Sequence, residues 1–220
     1  MNNMTGLHCL SAGAILVAWV GATAQLPIEK LPSEHLKFES DVLSVLEPTM
    51  PSGTSQPEHV HAHDSASVCF SGSNMRTRNH KADWSDIVKP CSLGDIVVAE
   101  FAGAPVIHAV ENVGAGIFHT VMVENMRNSG WSTDPPSSSP ATVLAKESRA
   151  FLIYAVTLSA ATRETEQVHN KPTVVILVSG HVTVGKKPLR KPGQWILASA
   201  GAPCSISTQT EAKLIEIEVR

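Results

Sequence analysis

Residues 53–72 of this chain read Gly53-Thr-Ser-Gln-Pro-Glu-His59-Val-His61-Ala-His63-Asp-Ser65-Ala-Ser-Val-Cys69-Phe-Ser-Gly72. Side chains two residues apart in a β-strand point to the same face of the sheet. His59 and His61 therefore share a face, and neighbouring imidazoles can bind one metal ion. The stretch predicts a strand that carries part of a metal site.

A third ligand must come from a different strand. His108 is the candidate, because it begins an apolar run that leads back toward the same end of the fold. In a continuous strand His63 has the parity of His59 and His61 and is a fourth candidate, whereas Asp64 points to the other face. The alternative interpretation is that these histidines form a solvated strand entry and bind nothing.

The rest of the sequence predicts an all-β protein. Short β-rich runs alternate with Gly, Pro and Ser, and no stretch keeps a 3.6-residue apolar period. The strands predicted in the first half are Val42–Leu46, His59–Phe70, Asp95–Phe101, Val106–Glu111 and Phe118–Glu124. Residues 128–140 are rich in Ser, Pro and Asn, which predicts a solvated linker.

The second half repeats the first. Residues 166–180 align with residues 58–72, so that the spacing from His169 to Gly180 equals that from His61 to Gly72. The alignment places at the corresponding ligand positions Gln167, His169, Thr173 and Cys204. One histidine does not make a metal site, and we expect the second half to keep the fold without the metal.

The spacing of these residues resembles the two sequence motifs of the cupins. The first motif appears here as Gly53, His59, His61 and Gly72, and the second, more loosely, as Gly94, His108 and Asn112. The resemblance implies a bicupin with a degenerate second domain, built from two double-stranded β-helix (jelly-roll-like) barrels in tandem. The implied domains are residues 25–127 and 141–220.

One departure from the family pattern concerns the metal. Ser65 stands where cupins carry a glutamate ligand. The chain is similar in this respect to the three-histidine cupins of the thiol-dioxygenase type, which hold iron. That resemblance implies a site at His59, His61 and His108 for one divalent transition metal, whether Fe, Mn, Zn or Cu. His63 or Asp64 could take the place of the missing carboxylate, and strand alternation favours His63.

Two functions are consistent with such a site. The first barrel could be a mononuclear metal-dependent oxidoreductase acting on a small molecule with dioxygen. It could instead be a non-catalytic protein that binds a metal or a small ligand. Nucleic acid is not an expected partner, because 17 Lys and Arg against 20 Asp and Glu leave a net charge of −3. A homodimer is consistent with the resemblance, since cupins often dimerise.

The first 24 residues predict export. An apolar run from Leu10 to Gly21 is followed by Ala22-Thr-Ala24, the pattern of a signal peptide cleaved after Ala24. The run is shorter than the ~20 residues that span a bilayer, so we expect no permanent membrane anchor. We therefore predict a secreted or periplasmic protein. In that setting Cys69 and Cys91 could form a disulfide, although the sequence alone leaves this open.

Overall fold

The computed structural model describes residues 25–127, 142–162 and 165–220. The predicted signal peptide and the predicted linker at 128–140 lie outside the described residues. Within them, no helix is long and apolar enough to cross a membrane.

Residues 26–125 form strands that make two sheets. Two short 3-10 helices near the start are η1 (Ile28–Lys30) and η2 (Pro32–Glu34). The strands are β1 (Leu26–Pro27), β2 (Leu36–Glu39), β3 (Leu43–Leu46), β4 (Thr49–Met50), β5 (Ser55–His61), β6 (Asp64–Ser71), β7 (Met75–Asn79), β8 (Ile96–Ala99), β9 (Val106–Asn112) and β10 (Phe118–Asn125). Sheet I has the order β1-β5-β9-β7, and sheet II has the order β2-β3-β10-β6-β8, with β4 also paired to β10. Together they form the first barrel.

The remaining strands form a second pair of sheets. They are β11 (Thr142–Glu147), β12 (Phe151–Leu158), β13 (Thr165–Val168), β14 (Thr173–Ser179), β15 (Val182–Val184), β16 (Lys187–Leu189), β17 (Trp195–Ala198), β18 (Pro203–Ser207) and β19 (Ala212–Val219). Sheet III has the order β11-β12-β19-β14-β17, and sheet IV has the order β13-β18-β15-β16. Together they form the second barrel. The all-β fold with two barrels in tandem is as predicted.

The two barrels share a hydrophobic core. Strands β3, β6 and β10 of sheet II and β12, β14 and β19 of sheet III contribute alternate residues to one buried cluster, which includes Val45, Val121, Phe151, Ile176 and Ile217. Alternation along a strand sends every second residue to each face. Both faces of these strands are therefore covered, one by the other barrel and one by their own barrel's interior, which explains why β3 and most of β14 are buried at every position.

Polar contacts reinforce the junction between the barrels. Arg149 donates from Nε to Asp64 Oδ2 and from Nη2 to Asp64 Oδ1, both at 2.7 Å. Trp195 Nε1 donates to Glu47 Oε1 at 3.1 Å. Asp64, considered as a metal ligand from sequence, instead joins the first barrel to the second.

One predicted strand is divided in the structure. The sequence predicts one continuous strand over His59–Phe70, but β5 ends at His61 and β6 begins at Asp64. Ala62 and His63 form the connection between the two strands. The parity argument for His63 therefore fails, since strand alternation does not continue past His61.

Candidate metal centre

Three histidines from two paired strands meet inside the first barrel. Strands β5 and β9 are antiparallel, and their register places His59 directly opposite His108. His61 lies two residues further along β5 on the same face. The Nε2 atoms of His59 and His61 are 3.1 Å apart, and those of His61 and His108 are 3.0 Å apart. The ligand atoms of all three residues lie within 4.8 Å of one another.

The hydrogen bonding of His59 is suited to metal binding. Its Nδ1–H is positioned to donate to the Pro57 carbonyl oxygen at 2.9 Å. A proton held on Nδ1 leaves the Nε2 lone pair free, and this is the usual arrangement of a metal-ligating histidine. The backbone just before the strand thus fixes the ring that points its Nε2 at the cluster.

Burial keeps the three imidazoles neutral. It lowers the pKa of His61 to about 3, with a further lowering from His108 and His59. It also lowers the pKa of His108 to about 4, with a further contribution from His59. The pKa of His59 is lowered by burial too, partly offset by the Pro57 carbonyl. Neutral imidazole is the form that binds a metal ion.

These residues fit a transition-metal ion. Nitrogens about 3 Å apart match the separations expected when each lies roughly 2.0–2.1 Å from one shared ion. Among the described residues, these three histidines are the cluster of His, Cys, Asp or Glu side chains whose ligand atoms lie close enough to share one metal ion. Three imidazoles leave coordination positions for water or another ligand, as an open site requires.

The other residues predicted near the site are placed elsewhere. His63 is not part of the cluster, and its Nε2 lies 4.0 Å from Glu29 Oε1. Ser65 is buried in β6 opposite Glu124 of β10. Asn112 is a structural residue, because its Nδ2 donates to the carbonyl oxygens of Met50 and Gly116.

The cluster opens on a cavity of about 400 Å³ within the first barrel. Most of its wall is apolar, with contributions from Met50, Met75, Val110, Phe118 and Met122. The cavity is of a size that holds a small molecule rather than a polymer.

A disulfide forms part of the cavity wall. Cys69 and Cys91 are joined, and both line the cavity. The bond holds the segment before β8 against β6. Gly72 permits this approach, because a Cβ atom there would lie 2.1 Å from the Cys91 carbonyl oxygen. The sequence alone leaves the disulfide Cys69–Cys91 open, and the structure contains it.

Two buried carboxyl groups in the first barrel were not anticipated from sequence. Glu34 of η2 lines the cavity, and burial raises its pKa to about 7, against a smaller lowering by its hydrogen bond with Gln56. Glu124 of β10 accepts a hydrogen bond from Ser44 Oγ at 2.8 Å. Burial, followed by the charge of Glu29, raises the pKa of Glu124 to about 8. Neither Glu34, between Ser33 and His35, nor Glu124, between Val123 and Asn125, lies in a sequence motif that predicts its burial.

Comparison with known proteins supports the fold and leaves the family open at the level of sequence. No family model matches the chain, and no curated protein matches its sequence. Among solved structures, the chain is similar to AerE from Microcystis aeruginosa, with 15% identity, a TM-score of 0.61, and coverage of 88% of this chain and 96% of that one.

Salicylate 1,2-dioxygenase from Pseudaminobacter salicylatoxidans is also similar, with 12% identity, a TM-score of 0.59, and coverage of 81% of this chain and 71% of that one. A variant of that enzyme in complex with gentisate gives 11% identity, a TM-score of 0.61, and coverage of 90% and 77%. At these identities the likeness shows the fold alone. The chain has the all-β cupin fold, and its first barrel brings three histidines together in a cluster that could bind a metal ion.

Proposed function

We propose that the first barrel binds one divalent transition-metal ion through His59, His61 and His108, and that it is a metal-dependent oxidoreductase acting with dioxygen on a small molecule. The convergence of three neutral Nε2 atoms on one point carries this proposal. When bound, a redox-active metal such as iron would supply the site for dioxygen and substrate to meet.

The protein's own residues supply the remaining requirements. The Pro57 carbonyl orients His59, and His61 packs against Phe101 at a ring separation of 4.9 Å. The apolar wall of the cavity excludes water from a bound substrate. A structurally similar dioxygenase has been crystallised with gentisate, which supports a small aromatic acid as the kind of molecule to test first.

A non-catalytic binding protein is the second candidate. Ser65 replaces the carboxylate expected from the motif, and the three-histidine cluster contains no acidic ligand. Such a site would bind a metal ion, or a small molecule through the metal, without a reaction. His63 would join the ligands only if the connection at 62–63 moved, because its ring lies outside the cluster.

We also propose that the protein is exported and that the second barrel is a metal-free support for the first. The small-residue pattern at Ala22-Thr-Ala24 and the disulfide Cys69–Cys91 are consistent with an oxidising compartment. Cell fractionation with N-terminal sequencing of the mature protein tests this. A protein that begins at Gln25 outside the cytoplasm is expected, and an unprocessed cytoplasmic chain would contradict it.

Oxygen consumption by the Fe(II)-loaded protein tests the enzymatic proposal. We would offer gentisate, a panel of small thiols and a panel of diketones to the wild type, to His108→Ala and to Gln167→Ala, which changes a comparable strand position of the second barrel. Substrate-dependent uptake is expected in the wild type and in Gln167→Ala, with a loss of about 100-fold or more in His108→Ala, because removal of a ligand disrupts the site. Ligand binding with no uptake would favour the binding protein.

A further inference from the structure

Glu34 is an unusual residue to find in the wall of the metal cavity. Its side chain belongs to a residue that is only 2% exposed, and it lines the same cavity as His59, His61 and His108. Burying a carboxyl group without full hydrogen bonding or a cationic partner is unfavourable. A buried carboxyl group with an unpartnered oxygen atom therefore calls for an explanation, such as a bound ligand.

The hydrogen bonds of Glu34 are incomplete. Gln56 Nε2 donates to Glu34 Oε1 and also to Ser33 Oγ, the latter at 2.9 Å. Glu34 Oε2 is buried and has no hydrogen-bond partner among the described residues. Burial is the main influence on the pKa of the Glu34 carboxyl, and its hydrogen bond with Gln56 offsets only part of it. Glu34 in turn contributes to the raised pKa of Glu124.

The position of Glu34 relative to the histidines is set by β5. Its bonding partner Gln56 precedes His59 by three residues on that strand, at most about 10 Å of chain. A register shift between Gln56 and His59 lets both residues line the same cavity. The lining of the cavity as a whole is mainly apolar. The cavity therefore offers a cluster of histidines, a mainly apolar wall and a carboxyl group, in a volume of about 400 Å³.

We propose that Glu34 is a second recognition group of the cavity, and that it hydrogen-bonds a hydroxyl group at the far end of a small, ring-sized ligand whose near end is held by the metal at His59, His61 and His108. This inference rests on the proposed function, since it needs the metal to hold the near end. The hydroxyl group would satisfy the unpartnered Oε2 atom.

A hydroxyl group suits Glu34 better than a charged group does. Burial raises the pKa of Glu34 to about 7, so the carboxyl is present in both protonation states near neutral pH. A hydroxyl can donate to the ionised form and accept from the neutral form. A ligand carboxylate at this end would be repelled by the ionised form. Glu34 contributes to the raised pKa of Glu124 of β10, and this acidic pair disfavours a second anion, although Lys89 lines the same cavity.

Gentisate and 5-methylsalicylate provide a matched pair of probes. Both carry the same carboxylate and hydroxyl pair at one end, and they differ in whether the far ring position bears a hydroxyl or a methyl group. We would measure the affinity of each for the Co(II)-loaded wild type, Glu34→Leu and Glu124→Gln by calorimetry, after checking the metal content and fold of each variant. Glu124 is the control, because it is buried in the same barrel but does not line the cavity.

The wild type and Glu124→Gln are expected to prefer gentisate by about tenfold or more, the contribution of a hydrogen bond to an ionisable group. In Glu34→Leu the preference should fall to about one, with the cobalt content unchanged. An unchanged preference in Glu34→Leu would overturn the inference. If Glu34→Leu does not fold, the wild type alone tests the inference. Equal affinities of the cobalt-loaded wild type for the two probes, or binding of neither probe, would also overturn the inference. Absence of cobalt from the wild type would instead overturn the proposed function.

Discussion

The two barrels of this protein use the same strand arrangement to build different interiors. In the first, His59 lies opposite His108 across β5 and β9. In the second, Gln167 lies opposite Cys204 across the corresponding strands β13 and β18. The first interior contains a cavity and several buried polar groups. The second contains an apolar cluster that includes Leu177, Ile206 and Leu214, together with buried Glu216.

The difference shows how a barrel can carry a polar site and remain stable. A cavity and buried ionisable groups both lower the free energy of unfolding. The core shared by sheets II and III covers the outer face of the first barrel with residues of the second. We infer that the second barrel compensates for the polar interior of the first, and that the two unfold together.

The largest expected effect comes from breaking the shared core. Ile217→Ala removes a fully buried side chain of β19 that packs against the first barrel. The variant is expected to lower the free energy of unfolding by about 3 to 4 kcal/mol, because it leaves a cavity. Urea denaturation measures the loss, and hydrogen exchange of β10 shows whether the first barrel is destabilised as well.

Val143→Ala is the control for this change. Val143 is 69% exposed on β11, so its truncation should alter the free energy of unfolding by no more than about 0.5 kcal/mol. Faster exchange in β19 of Ile217→Ala, with β10 unaffected, would show that the barrels are independent. That result would remove the proposed role of the second barrel.

A somewhat smaller effect is expected from the ion pair between the barrels. Burial alone would raise the pKa of Asp64, but hydrogen bonds from Arg149 and the Ala102 N–H bring it below its ordinary value. Arg149→Ala leaves the Asp64 carboxylate without its cation and should lower the free energy of unfolding by less than Ile217→Ala does, because solvent partly screens the pair. The double variant Asp64→Asn with Arg149→Ala should recover part of the loss. If the losses of unfolding free energy in the single variants Asp64→Asn and Arg149→Ala simply add in the double variant, the two side chains do not stabilise the fold as a pair.

The smallest effect concerns pH. The pKa of Glu124 is raised by burial to about 8 in the folded protein, above its ordinary value of 4.5. The folded state therefore holds a proton that the unfolded state releases, and the stability this provides at low pH is lost as pH rises toward 8. The free energy of unfolding of the wild type should fall between pH 6.5 and pH 8. We expect Glu124→Gln to make this fall smaller by about 1 to 2 kcal/mol.

Glu216 of the second barrel sharpens the comparison. Burial, with a smaller contribution from Glu218, raises its pKa only to about 7. Glu216→Gln should therefore reduce the pH-dependent loss of unfolding free energy mainly below pH 7. Glu124→Gln should reduce that loss up to pH 8. Denaturation at pH 6.5, 7.2 and 8.0 distinguishes the two. Identical profiles for both variants and the wild type would contradict the assigned pKa shifts.

The sequence predicted the features that depend on local patterns. Strand alternation placed His59 and His61 on one face, and the repeat aligned Gln167 with His59, which the register of the structure reproduces. Features that depend on distant contacts could not be predicted. Asp64 and Arg149 are 85 residues apart, and nothing in either local sequence links them.

Two further features escaped prediction for local reasons. The parity argument for His63 assumed a continuous strand, whereas β5 ends at His61. Glu34 lies on a short 3-10 helix, where an acid is ordinarily solvated. Its burial results from packing of the segment against the barrel, where Ile28 and Leu31 contact Leu46 and Met122.

Metal content tests the central claim, that the first barrel alone holds a metal ion, most directly. Protein purified without a histidine tag would be assayed by plasma mass spectrometry as the wild type, as His59→Ala with His61→Ala, and as Gln167→Ala with His169→Ala. We expect about one ion per chain in the wild type and in the second-barrel variant, and less than about one tenth in the first-barrel variant, because an open site needs its three protein ligands. Equal metal content in all three proteins, or loss of metal only in the second-barrel variant, would contradict the claim.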